Sequence, residues 1–168
     1  KLYENMKRLV NVASISGTAA EGAAAYELEA MLREIPYFKE HEENVMVLPV
    51  EGDPFQRAIV AAYLECDPDC PDTIILTGHY DVVDIEEYGS LKEIACDVEE
   101  ITKRIGELHL DEECKKDLES GNWYFGRGTA DMKFGHALCI ELLNHYAQEK
   151  ILKGNLLYVA VCGEETNS

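Results

Sequence analysis

The stretch Leu156-Leu157-Tyr158-Val159-Ala160-Val161, running into Cys162-Gly163-Glu164-Glu165-Thr166-Asn167-Ser168, carries fold and chemistry together. Its apolar, strand-like run predicts a buried β-strand over 155–161. Two adjacent carboxylates follow at the strand end. Like charges side by side repel, and each loses solvation on burial. A cation would offset both costs. Just upstream, the pattern predicts a helix from about 131 to 148, and helix plus strand form the second half of a βαβ unit.

Working outward, the chain alternates helix and strand, which places it in the α/β class. One helix is predicted over 2–12, with Leu2, Met6, Leu9 and Val10 on one face. Another is predicted over 19–35, with Ala24, Leu28, Met31, Leu32 and Ile35 at helical spacing and Pro36 as its stop. Strands are predicted at 44–48, 58–64 and 73–77, the second so continuously apolar that both its faces should be covered. Between 84 and 122 lies a long connection with helices of its own. There Asp97 and Glu100 fit a capping pair, and a shorter helix should follow Asp111 and end near Gly121.

The 168 residues suit about one domain of roughly 100–200 residues. With 33 acidic and 15 basic side chains the net charge is −18, which argues against nucleic acid and anionic membranes as partners. No apolar run reaches the roughly 18 residues of a membrane-spanning helix. Lys1-Leu2-Tyr3-Glu4-Asn5-Met6 lacks the regions of a signal peptide, so the expected location is cytoplasmic. The six cysteines form no C-x-x-C pair. Cys139 and Cys162 read as small buried thiols, and Cys66 and Cys70, flanking an acidic loop, are expected to stay reduced.

Three segments hold residues that ligate metals. His79-x-Asp81 ends a strand, where residues two apart face the same side. A carboxylate there suits the orientation of a metal-bound imidazole. Asp131 follows the Gly126-Arg127-Gly128 turn and opens a helix, whose dipole favours negative charge. The turn lacks the further glycine or lysine of a nucleotide-binding loop. Glu164 and Glu165, pointing apart at a strand end, could divide into a ligand and a proton acceptor. Each segment alone has an ordinary reading: a surface histidine, an N-cap aspartate, an exposed acidic turn. Each falls at the carboxyl end of a strand or in the turn leading to a helix, and open α/β sheets place their sites at that edge. Zinc takes ligands of these types.

Thr77-Gly78-His79-Tyr80-Asp81-Val82-Val83, Gly126-Arg127-Gly128-Thr129-Ala130-Asp131-Met132-Lys133 and Gly163-Glu164-Glu165-Thr166-Asn167-Ser168 together resemble the M20 metallopeptidases. Ser16-Gly17-Thr18-Ala19-Ala20-Glu21 and Asp84-Ile85-Glu86-Glu87-Tyr88-Gly89 look like its RocB-type arginine-utilisation branch. The resemblance implies a three-layer fold, a mixed and largely parallel sheet between helices, like that of zinc-dependent exopeptidases. It implies that His79 binds one metal, Asp131 bridges two, Glu165 binds the second, Glu164 is the general base and Asp81 orients His79. It implies two Zn2+ ions, with Co2+ or Mn2+ as substitutes. The substrate would be a small N-acyl amino acid or peptide, cleaved at an amide bond in arginine catabolism, and the full-length protein would be a homodimer. A cis Asp131–Met132 peptide is expected, as members often have one there.

Phe134 stands where the family often has glycine, and His136 reads as an ordinary helix residue. The family's further carboxylate ligand, its late histidine and its lid domain have no counterpart here. The expectation is therefore the N-terminal part of one catalytic domain over 1–168, with weakly bound metal and no turnover alone. Two other readings are a non-catalytic binding module on a decayed hydrolase scaffold and an M28-like aminopeptidase. Five intact site residues argue against the first, and the Gly-Arg-Gly-Thr-Ala-Asp-Met-Lys wording favours M20 over the second.

Overall fold

The computed structural model describes residues 1–149 and 151–166. Asn167 and Ser168 of the closing motif lie outside the described residues. The elements run α1 (Leu2–Val10), α2 (Ala19–Arg33), α3 (Pro36–Glu40), β1 (Val45–Pro49), β2 (Ala58–Leu64), β3 (Thr73–His79), α4 (Val98–Arg104), α5 (Glu112–Ser120), α6 (Phe134–Glu149) and β4 (Asn155–Val161). Pro36 does more than stop α2. It takes the first position of α3, where its missing N–H costs nothing.

The strand order is β1-β2-β4-β3, with β4 bonded on both edges. The sheet is mixed, as expected, but its parallel part is confined to β3 and β4, which pair from Thr73↔Asn155 to His79↔Val161. β2 runs antiparallel to both β1 and β4. Connection length explains the difference. Residues 50–57 are a tight turn, closed by the Asp53 carboxylate, which accepts from the backbone N–H groups of Phe55 and Arg57 and from the Arg57 guanidinium. A parallel pair needs a long crossover, which here contains α4, α5 and α6.

Alternation gives the sheet two faces. Val45, Val60, Ala62, Leu64, Leu156, Tyr158 and Ala160 enter one core with Leu9, Leu28, Leu32, Phe38, Ile140 and Leu143 from the helices. The opposite face carries Met46, Leu48 and Ile75, which are 44%, 48% and 61% exposed, and no helix of the described residues joins a core there. Among the described residues the main helical core thus lies on one face of the mixed sheet. This one-sidedness corrects the reading of β2: Ile59 and Tyr63, on its open face, are only half-buried.

The connection between β3 and α6 builds a small core of its own from Leu91, Ile101 and Ile105, with Tyr88, Leu108, Leu118 and Phe125 around it. Asp97 caps α4 by accepting from the N–H groups of Glu99 and Glu100. Glu100 pairs with Lys103, so only half of the expected capping pair forms. α5 starts on Asp111 and ends at Gly121, in the left-handed conformation. At the start of β4, Asn155 accepts from the N–H groups of Cys66 and Asp67 and donates to the Cys70 carbonyl, which shapes that loop around two free thiols. No helix among the described residues is long and apolar enough to cross a membrane.

His136 is one of the few polar side chains in this interior, at 1% exposed. Burial pushes its pKa down to about 4. An unfolded histidine takes up its proton near pH 6.5, so between these values the unfolded chain binds more protons and stability falls as pH drops. The expected loss from this group is about 3 kcal/mol between about pH 7 and about pH 4. Urea unfolding at both pH values checks it. His136→Phe should lose less than the parent chain by about that amount, and equal losses would refute the assignment.

Candidate metal centre

β3 and β4 lie side by side and parallel, so their carboxyl ends open on the same edge of the sheet. β3 delivers His79 and Asp81 there, and β4 delivers Gly163, Glu164 and Glu165. The third contributor is the turn Thr129–Lys133. Gly128 enters this turn at φ +80°, and a Cβ at that position would lie 2.5 Å from Val82 Cγ1. The helix expected from 131 begins instead at Phe134, and Asp131 has extended backbone angles, φ −114° and ψ 100°. Asp131 is therefore not a helix cap. The Asp131–Met132 peptide is cis, as the resemblance implied.

His79, Asp131 and Glu165 each offer one ligand atom within 4.8 Å of the others. The geometry around His79 settles which nitrogen faces the group. Nδ1 lies 3.0 Å from the Asp81 backbone carbonyl, which can only accept, so Nδ1 carries the proton there. In the neutral imidazole Nε2 then turns its lone pair toward Asp131, 3.0 Å away. Two acceptors face one another across that gap, with a third close by. A divalent cation fits this donor set, because it supplies the missing positive charge. Burial, then the charge of Asp131, raises the pKa of Glu165, which is the cost such a cation would relieve.

Glu164 stands beside this group, its carboxylate 3.9 Å from His79 Nε2 and largely exposed. Residues 164–166 form a helical turn rather than extended chain. The turn, not strand alternation, sets the two glutamates apart. The Asp81 carboxylate is 3.6 Å from His79 Nδ1, farther than the carbonyl of the same residue. It instead accepts from the backbone N–H groups of Glu164 (3.2 Å) and Glu165 (3.0 Å) and from the Ser16 hydroxyl (2.8 Å). A second buried carboxylate, Glu21, accepts from the N–H groups of Gly163 and Gly17, both within 2.9 Å.

Sequence reasoning gave Ser16 and Glu21 no task at the site. Their signal was present in Ser16-Gly17-Thr18-Ala19-Ala20-Glu21, but nothing in that segment shows which backbone it holds. Lys133 likewise has no task in the sequence beyond closing its motif. It is 1% exposed, burial lowers its pKa to about 8, and its Nζ donates to the Val12 carbonyl at 2.6 Å. This ties the Asp131 turn to the end of α1. Arg127 donates its backbone N–H to the Ala95 carbonyl and reaches Glu87, fastening the glycine turn to the helical connection.

A cavity of about 260 Å³ lies over Asp131 and Glu165, walled by Val83, Arg127 and Thr129 among others. A larger cleft, of about 420 Å³, lies between α3, the end of β2 and α6, and holds none of the ligating residues.

The chain is 40% identical to the uncharacterized protein YqjN and 33% identical to protein RocB, both of Bacillus subtilis. The matches cover 100% and 94% of this chain but only 30% and 28% of those proteins, so it spans less than a third of their length. Human carnosine dipeptidase 1 has the same fold over 99% of this chain and 32% of its own, with a TM-score of 0.66 at 18% identity. Residues 75–168, more than half of the sequence, match the model of Peptidase family M20/M25/M40. By that match and these relatives, the chain belongs to the M20 family of peptidases.

Proposed function

We propose that the full-length protein is a zinc-dependent hydrolase that cleaves the amide bond of a small N-acyl amino acid or peptide. The observation that carries this is the convergence of His79, Asp131 and Glu165 within 4.8 Å at the edge where β3 and β4 end. Family membership supports the reaction class, and the fold shared with a dipeptidase supports a peptide-like substrate. A setting in arginine catabolism rests on the RocB-type resemblance. Action as a homodimer rests on the family alone.

Zinc, when bound, supplies Lewis-acid polarisation of the carbonyl and a water of lowered pKa. His79 would hold one ion through Nε2 and Glu165 the other, with Asp131 shared between them. Co2+ or Mn2+ would suit the same ligands. Glu164 is free of ion pairing with any lysine or arginine among the described residues, so its carboxylate can take the proton of the attacking water and return it to the leaving amine. Asp81 does not touch substrate in this scheme. It fixes the backbone from which both glutamates project.

In the full-length protein, Glu164→Gln should lower turnover by about 10²–10⁴-fold. Zn2+ affinity, read by calorimetry, should stay within a few-fold of the parent. Equal loss of both would make Glu164 a ligand instead of a base.

Catalytic zinc takes about three protein ligands per ion. Three ligating residues shared between two ions fall short of that, so Zn2+ should bind this chain weakly. Asp131→Asn should remove what binding there is. Tight uptake of two ions by these 168 residues would contradict the assignment of ligands.

A further inference from the structure

The sequence reads His136 as an ordinary helix residue, but the structure engages both its ring nitrogens with other elements. The His79 carbonyl lies 2.7 Å from His136 Nε2 and can only accept, so Nε2 carries the proton. Nδ1 is left with the lone pair, and the Tyr158 hydroxyl donates to it at 2.6 Å. Tyr158 is wholly buried in β4. The bonds thus run from β4 through α6 to the tip of β3 and end on the backbone of a metal-ligating residue.

That backbone needs such partners. Tyr80 donates its N–H to Val161 on β4, so the preceding residue turns its own N–H and C=O to the other side. There the His79 N–H meets Met132 Sδ at 3.4 Å, and its carbonyl meets His136. Both partners belong to the segment that also presents Asp131. The fit is close: a Cβ on residue 78 would lie 2.5 Å from Met132 Cε and 3.2 Å from His136 Cε1, so any side chain there would have to push the end of Met132 aside.

We propose that His136 is a positioning residue for the metal centre: with Tyr158 behind it, it locks the His79 peptide and so aims His79 Nε2 at the point it shares with Asp131. This rests on the metal-binding reading of His79 given above. Groups that orient a metal ligand contribute about 10–100-fold in affinity.

The test is nuclear magnetic resonance of the ring nitrogens in the histidine-labelled chain, joined to a Co2+ titration. The parent should show His136 as the Nε2–H tautomer. His136→Phe, shown folded by circular dichroism, should shift the His79 ring signals and weaken Co2+ binding by about tenfold or more. His136→Gln keeps an N–H at similar reach and should restore most of both, which a role in packing alone would not predict. Tyr158→Phe removes the donor to Nδ1 and should also move the His79 signals, which keeps the test open if His136→Phe fails to fold. A folded His136→Phe or Tyr158→Phe chain with unchanged His79 signals overturns the proposal, and so does an Nδ1–H tautomer at His136. If the parent takes up no Co2+, the metal reading falls, and the His79 signals of the variants still decide the positioning role.

Discussion

Three consecutive backbone N–H groups, those of Gly163, Glu164 and Glu165, end on two buried carboxylates, Glu21 and Asp81. Both acids are 0% exposed. A buried carboxylate is costly unless donors surround it, and backbone N–H groups are donors whose positions do not relax. Each side of the arrangement therefore requires the other. The acids need the turn after β4 for their solvation, and the turn needs the acids to hold a conformation in which both glutamates project toward His79. Glu21 comes from α2 and Asp81 from the end of β3, so the same bonds fasten a helix and two strands at one edge. Ser16 completes the set by donating to Asp81, which draws in the loop ahead of α2.

The electrostatics of this edge follow. Asp81, Asp131, Glu164 and Glu165 crowd one imidazole, and the inner Asp81, like the buried Glu21 beside the same turn, serves differently from the three outer acids. Asp81 accepts from two N–H groups and a hydroxyl, and Glu21 accepts from two N–H groups with the Arg57 guanidinium 3.7 Å away, so both acids hold backbone in place. Asp131 and Glu165 turn acceptor atoms toward His79 Nε2, and that charge is what a cation would neutralise. Lys133 offers no such relief, because its ammonium is directed away to the carbonyl of Val12. The separation between acids that hold backbone and acids that face His79 is made by hydrogen-bond donors, not by residue type.

Much of the fold was legible because period and breaker residues carry it. The stripes of α1 and α2, the strand run of β4, Gly121 after α5 and the strand-like run 58–64 all appear where simple spacing puts them. The likeness of three ordered motifs to one peptidase family also proved sound. Misreadings came where a local rule met a tertiary demand. Asp131 has the look of a helix cap, yet the chain there bends into a cis peptide and delays α6 by three residues. Asp81 meets the His79 ring through its backbone carbonyl, while its carboxylate bonds the N–H groups of a turn 83 and 84 residues away. His136 reads as an ordinary helix residue because a helix position does not disclose which carbonyl lies across from it.

What the sequence alone determined is which residues could do chemistry and which elements would carry them, since ligand type, hydrophobic period and strand-to-turn order are local properties. The tertiary structure decided how those residues are used. Parallel pairing of β3 with β4 brings His79 beside the Glu164–Glu165 turn, and the bend at Asp131 brings the third carboxylate over both. It also decided the parity of the sheet: short turns made β1 and β2 antiparallel, and only the long crossover allowed β3 and β4 to run together. Distances of three or four ångströms between groups 50 to 140 residues apart are fixed by packing and shared hydrogen bonds, which no window of sequence contains.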